Sequence, residues 1–129
     1  MEERNPYNKY KTQSIMSSSP PELTLMLYNG CIRFVGRAIK AIENRDIEGA
    51  NDSIVRAELI IEEFMNTLDM KYEISKRLIL LYDYIYRRLV DANLSKDKEI
   101  LEEVLGHVTG LRDNWELAMA SLKRKVENL

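Results

Sequence analysis

The chain has 129 residues, 45% hydrophobic and 31% charged, with 19 basic against 21 acidic side chains and a formal net charge of -2. That length is one domain, and the apolar share is large enough for a packed core. A pI near 5.5 argues against a protein that holds nucleic acid by bulk positive charge. Five glycines, three prolines that all precede position 22, and few Val/Ile/Thr runs argue against sandwiches and barrels and for an all-helical domain.

One cysteine cannot close an intramolecular disulfide, so nothing points to a secreted scaffold. The amino end is polar and carries no apolar core stretch, so no signal peptide is expected. The apolar uncharged run over residues 23–32 is shorter than the ~20 residues that cross a bilayer. The expectation is a soluble cytoplasmic protein without membrane insertion.

Residues 1–18 form the first predicted segment. They hold Pro6, four serines counting Ser19 at the boundary, and only Tyr7, Tyr10, Ile15 and Met16 as sizeable apolar groups. The reading is a mobile arm with a few adhesive side chains, followed by a helical domain over 19–129. Ser19-Pro20-Pro21-Glu22 has capping-box spacing, and proline is tolerated in a first turn, where its missing N–H has no partner to lose. A first helix is predicted to about residue 43, with Leu23, Leu27, Gly30, Phe34, Ala38 and Ala41 as its core stripe. Asp46 is placed to cap a second helix over about 47–66, striped by Ile47, Ala50, Ile54, Ala57, Ile61, Met65 and Leu68. A third runs over about 72–92 on Ile74, Leu78, Leu81, Ile85, Leu89 and Ala92, and the stretch 93–96 reads as a turn. Ser95 or Asp97 then caps a fourth over about 98–126, striped by Ile100, Val104, Val108, Leu111, Trp115, Ala118 and Leu122. Three short connections between such helices predict an antiparallel up-down four-helix bundle.

The helices carry more apolar surface than that bundle consumes. A bundle helix needs an apolar arc of a little over ~100°. On the third helix, Ile79, Tyr86 and Val90 form a second row with Tyr82 on its shoulder, widening the arc to roughly 180°. Tyr72, Leu80 and Tyr84 lie further round. The first helix adds Tyr28, Ile32, Val35, Ile39 and Ile42, and the second adds Val55 and Leu59. A contiguous apolar patch of this kind marks a surface for apolar residues of another chain, and tyrosine suits such a place with its apolar body and polar tip. The adhesive arm could cover part of that groove while no partner is bound.

Catalytic chemistry is missing. His107 is the sole histidine, so a di-iron bundle is excluded by count, and a zinc site from His107 and Glu103 lacks ligands. Cys31 falls on an apolar face and reads as an inert thiol. There is no Gly-rich phosphate loop or Gly-x-Ser-x-Gly elbow. No enzyme, metal or cofactor is called for. The alternative is a histidine phosphotransfer bundle using His107, although Val108-Thr109-Gly110 follows where that family has a basic residue.

Several segments resemble the FliS family of flagellar export chaperones. They are Asn5-Pro6-Tyr7, residues 19–30 with their Leu-Tyr-Asn-Gly, residues 56–61, residues 81–93 with their Leu-Tyr-Asp-Tyr, and 111–115. The sequence departs from the family at Glu58, where many members have Gln, and in the short 69–71 turn. The resemblance implies a chaperone that binds the disordered carboxy-terminal segment of flagellin, blocks premature polymerisation and presents flagellin to the type III export gate. It also implies contacts with other flagellar regulators, and an arm (Tyr7, Tyr10, Ile15) that occupies the cargo groove when cargo is absent. On the wheel reading, the groove expected to take the flagellin segment comprises Leu27, Tyr28, Ile32, Val55, Leu59, Ile79, Tyr82, Tyr86 and Val90.

Overall fold

A computed structural model describes residues 20–129. The arm residues Tyr7, Tyr10 and Ile15, and the Ser19 cap, lie outside the described residues. Four α-helices follow in order: α1 Pro20–Glu43, α2 Ile47–Thr67, α3 Glu73–Ser95 and α4 Lys98–Glu127. Their ends carry the signals that physical chemistry asks for. The Asp46 carboxylate accepts from the Gly49 N–H at 2.9 Å and caps α2. Asp97 does the same for α4 through the Glu99 N–H at 2.9 Å. Just past α1, Arg45 takes a left-handed φ of 60°, and the Asp46 N–H reaches back to the Ala41 carbonyl at 2.7 Å. Lys96 repeats this past α3 with φ 53°, and the Asp97 N–H bonds the Ala92 carbonyl. Both turns are Schellman-type stops built without glycine.

Each helix packs on its chain neighbours, and α4 closes the ring against α1, so α1 faces α3 across the diagonal. The bundle is antiparallel and up-down, as the short connections predict. Its interior is filled by fully buried Cys31, Val35, Ile54, Ile61, Ile85, Leu89, Leu101, Val104 and Val108. An aromatic layer crosses the core. The Tyr28 ring lies 4.6 Å from Phe64, and Phe64 stacks on Tyr82 at 5.4 Å.

The predicted stripes need correction at several points. Leu101 is completely buried, while Ile100 is only partly so, because α4 is rotated so that its second turn leads with position 101. Ile47 and Ile74 are more than half exposed because they sit in first turns, before the neighbouring helices close around them. Leu122 and Ala118 are exposed because α4 outruns its partners at that end. Residues 93–95 are helical rather than a turn, and Asn93 is tied to Asn51 of α2 by a 2.8 Å amide hydrogen bond.

Candidate binding surface

The nine groove residues expected from the sequence divide into three groups. Tyr28 and Tyr82 are in the core, at 4% and 3% exposure, and are not surface residues. Their hydroxyls bond each other at 2.7 Å, which removes the cost of burying either one. Burial raises the pKa of both phenols, opposed at Tyr28 by the hydrogen bond from Tyr82. Leu27 and Ile32 are half-buried on α1 and pack against the core. Val35, also read as lying outside the α1 stripe, is fully buried.

The remaining five stay open to solvent on the outer side of α2 and α3. Ile79 and Tyr86 are half-buried, and Val90 is 36% exposed. On α2, Val55 is 38% and Leu59 58% exposed. The Ile79, Tyr86 and Val90 spacing of 7 and 4 residues keeps them on one flank of α3, toward α2. Tyr86 is steered by its hydroxyl, which donates to the Glu62 carboxylate at 3.1 Å. Asn51, Glu58, Val90, Asn93, Leu94 and Lys96 line a shallow open cleft of about 380 Å³ along the seam. Val90 also borders a second depression of about 480 Å³ shared with Tyr84, Tyr86, Arg87, Arg88 and Asp91.

Polar and charged side chains make up much of the lining of both depressions, with Val90 common to the two. Glu58 is raised above the ordinary carboxyl range, first by partial burial and then by the neighbouring Glu62 charge. On the α4 side, Tyr84 donates to Glu103 and Arg88 bonds the same carboxylate at 3.1 Å. Those bonds hold the Glu103 pKa below its usual value, the Tyr84 hydroxyl being the largest cause. His107 is partly exposed, with Nε2 at 3.4 Å from that carboxylate and its ring edge-on to Tyr84 at 5.8 Å. Glu103 and Tyr84 are thus neighbours of the histidine, and Arg88 bonds the same carboxylate. Cys31 is sealed in the core and its thiol is pushed up to about 12, which leaves it protonated and inert.

Among the described residues no group of three or more His, Cys, Asp or Glu side chains is placed to hold a metal ion. Among them, too, no helix is long and apolar enough to cross a membrane.

Comparison with known proteins gives consistent relatives. A family model described as flagellar protein FliS matches residues 3–122. The chain is 46% identical over 121 residues to the flagellar secretion chaperone FliS of Bacillus subtilis (strain 168), covering 94% of this chain and 91% of that protein. It is 36% identical to FliS of Campylobacter jejuni, covering 84% and 87%, and 33% identical to FliS of Escherichia coli K12, covering 84% and 82%. A crystal structure of a bacterial flagellar chaperone has the same fold, with a TM-score of 0.74 at 19% identity over 90% of this chain and 96% of that one.

Proposed function

The chain belongs to the FliS family of flagellar secretion chaperones, and from that premise we propose that it binds the disordered carboxy-terminal segment of flagellin along the outer α2–α3 seam. The family is one of chaperones and not of enzymes. The observation that supports the reading is the row Ile79, Tyr86 and Val90, which its own bundle leaves partly open, with Val55 and Leu59 exposed on α2. An extended or amphipathic cargo segment would lay apolar side chains into this row, and Glu58, Glu62 and Lys96 would meet its polar groups. Ordering such a segment costs about 2–5 kcal/mol, so a long apolar track is required to offset it.

In this reading the bound segment cannot take part in filament contacts, which prevents premature polymerisation. The chaperone then hands flagellin to the flagellar type III export apparatus from the cytoplasm. The amino-terminal residues Tyr7, Tyr10 and Ile15 would compete for the groove when cargo is absent, and other flagellar regulators would be further partners. The phosphotransfer alternative gains no support at His107, whose ring faces Glu103.

The test is capture on the immobilised full chain. Intact flagellin should be retained at modest salt, and flagellin lacking its carboxy-terminal segment should pass through. Equal retention of both, or of neither, would remove the proposal.

A further inference from the structure

The middle of α1 carries charge of one sign. From Leu23 to Ile42 its charged residues are Arg33, Arg37 and Lys40, with no acid among them. All three are exposed, and their spacing of 4 and 3 residues aligns them in one row along about 10 Å of helix. Among the described residues no carboxylate forms an ion pair with any of the three. By contrast, Arg87 bonds Asp83, Arg88 bonds Asp91 and Glu103, Lys98 bonds Glu43 and Arg112 bonds Asp113. The other cations without such partners lie in turns or near helix ends.

The row is steadied from beneath. The guanidinium carbon of Arg37 lies 5.6 Å from the centre of the Phe34 ring, and that of Arg56 on α2 lies 5.8 Å from the same ring. Phe34 is buried, so the ring is a fixed platform. Arg56 bonds Asp52 at 3.1 Å, which leaves the Arg37 charge uncompensated beside it. The face has no apolar anchor: among the described residues every exposed large hydrophobic lies outside α1. A membrane-surface helix needs apolar side chains to insert, and a single-stranded nucleic acid needs exposed aromatic rings to stack on. With a net charge of -2, the chain as a whole also repels polyanions.

We propose that this face of α1 docks an acidic helical segment of a partner protein. Charge complementarity selects the occupant. Carboxylates match the planar fork of a guanidinium, and a straight row of cations on one helix is matched by a second helix laid along it. A partner helix with acids at the same spacing of 3 and 4 residues sets one carboxylate against each of Arg33, Arg37 and Lys40. The Phe34 platform limits the freedom that Arg37 loses on docking. Exposed ion pairs are individually weak and screened by salt, so the contact is reversible and falls with ionic strength. It uses none of the row Ile79, Tyr86 and Val90, and its failure leaves the cargo reading untouched.

Fluorescence anisotropy tests it, with the full chain titrated into a labelled alanine-rich helical peptide that carries glutamates at spacings of 3 and 4 on one face. A second peptide has glutamine at those positions. The glutamate peptide should bind and the glutamine peptide should not. Raising salt from about 50 to about 500 mM should weaken binding at least about tenfold. Arg33→Glu, Arg37→Glu and Lys40→Glu together should also weaken it at least about tenfold, since like charges would then face each other. Circular dichroism verifies the fold of each variant. Should the triple variant unfold, Arg33→Gln with Lys40→Gln leaves Arg37 on its ring and should still weaken binding about threefold. Lys123→Glu, Arg124→Glu and Lys125→Glu, the same charge change at the far end of α4, should leave binding unchanged. The proposal is overturned if the wild type ignores the glutamate peptide, binds both peptides equally, or loses as much on the α4 exchange. It is overturned too if reversing the α1 row spares peptide binding and abolishes binding to phosphatidylserine vesicles or single-stranded RNA.

Discussion

The hydroxyls of Tyr28 on α1 and Tyr82 on α3 meet at 2.7 Å across the diagonal of the bundle, with Phe64 of α2 against both rings. Two side chains that a helical wheel assigns to the surface thereby become a polar clasp inside the core. The clasp fixes the level of α1 against α3, helices that otherwise touch little. The outward rows of α2 and α3 inherit their register from that alignment.

Removing one hydroxyl strands the other in an apolar interior. Tyr28→Phe or Tyr82→Phe alone should each cost about 1–3 kcal/mol of stability. The double variant should cost less than the sum, because no donor or acceptor is left unpaired. Chemical denaturation of the four proteins in a double-mutant cycle measures this coupling, and strict additivity would mean that the hydroxyls do not interact.

Adjacent leucines on α3 separate core from surface. Leu81 packs against the core, whereas Leu80 is 70% exposed. Leu81→Asp should lose at least about 2 kcal/mol, since a charge would be driven into the apolar interior. Leu80→Asp should stay within about 0.5 kcal/mol of the parent. Thermal melts followed by circular dichroism will distinguish them.

Two glutamates should give stability profiles of opposite sign. Glu58 has a raised pKa in the fold, so the folded state binds its proton more readily than the unfolded chain. Its ionisation therefore subtracts stability as pH rises through its titration range, and Glu58→Gln should raise the melting temperature at pH 7 but not at pH 3. Glu103 is held low by Tyr84 and Arg88, so its contribution is present above the unfolded pKa and lost as pH falls through the folded one. Glu103→Gln should lower the melting temperature at neutral pH and converge with the parent in acid.

The helix caps offer a local check. Asp46→Ala and Asp97→Ala each remove a side-chain acceptor from a helix N-terminus and should cost about 1 kcal/mol apiece. Urea midpoints should fall in both variants, and a midpoint equal to the parent's would mean that the cap contributes nothing.

Much of this architecture was legible in the residues. The four helices, the cap at Asp46, and a second cap at Ser95 or Asp97 follow from 3.6-residue periodicity and from turn chemistry. Periodicity describes one helix at a time, so it could not reveal that Tyr28 and Tyr82 face each other across the bundle. Nor could it place the level at which α1 stops beside Trp115, which leaves Leu122 uncovered. Residues 93–95 read as a turn because Asn and Ser favour turns, yet a hydrogen bond to Asn51 and the stop at Lys96 keep that stretch in α3. The stripe names Ile100 rather than Leu101 because periodicity alone does not fix the rotation of a helix, and packing against α1 and α3 turns Leu101 inward.

The cargo-groove reading is tested most directly by calorimetric titration of the full chain with a peptide of the flagellin carboxy-terminal segment, repeated with Ile79→Asp and Tyr86→Asp. Both positions border the core without lying inside it, so the variants should remain folded. Each should bind about 2 kcal/mol more weakly, roughly a thirtyfold loss of affinity. Unchanged affinity in both folded variants would contradict a cargo groove between α2 and α3.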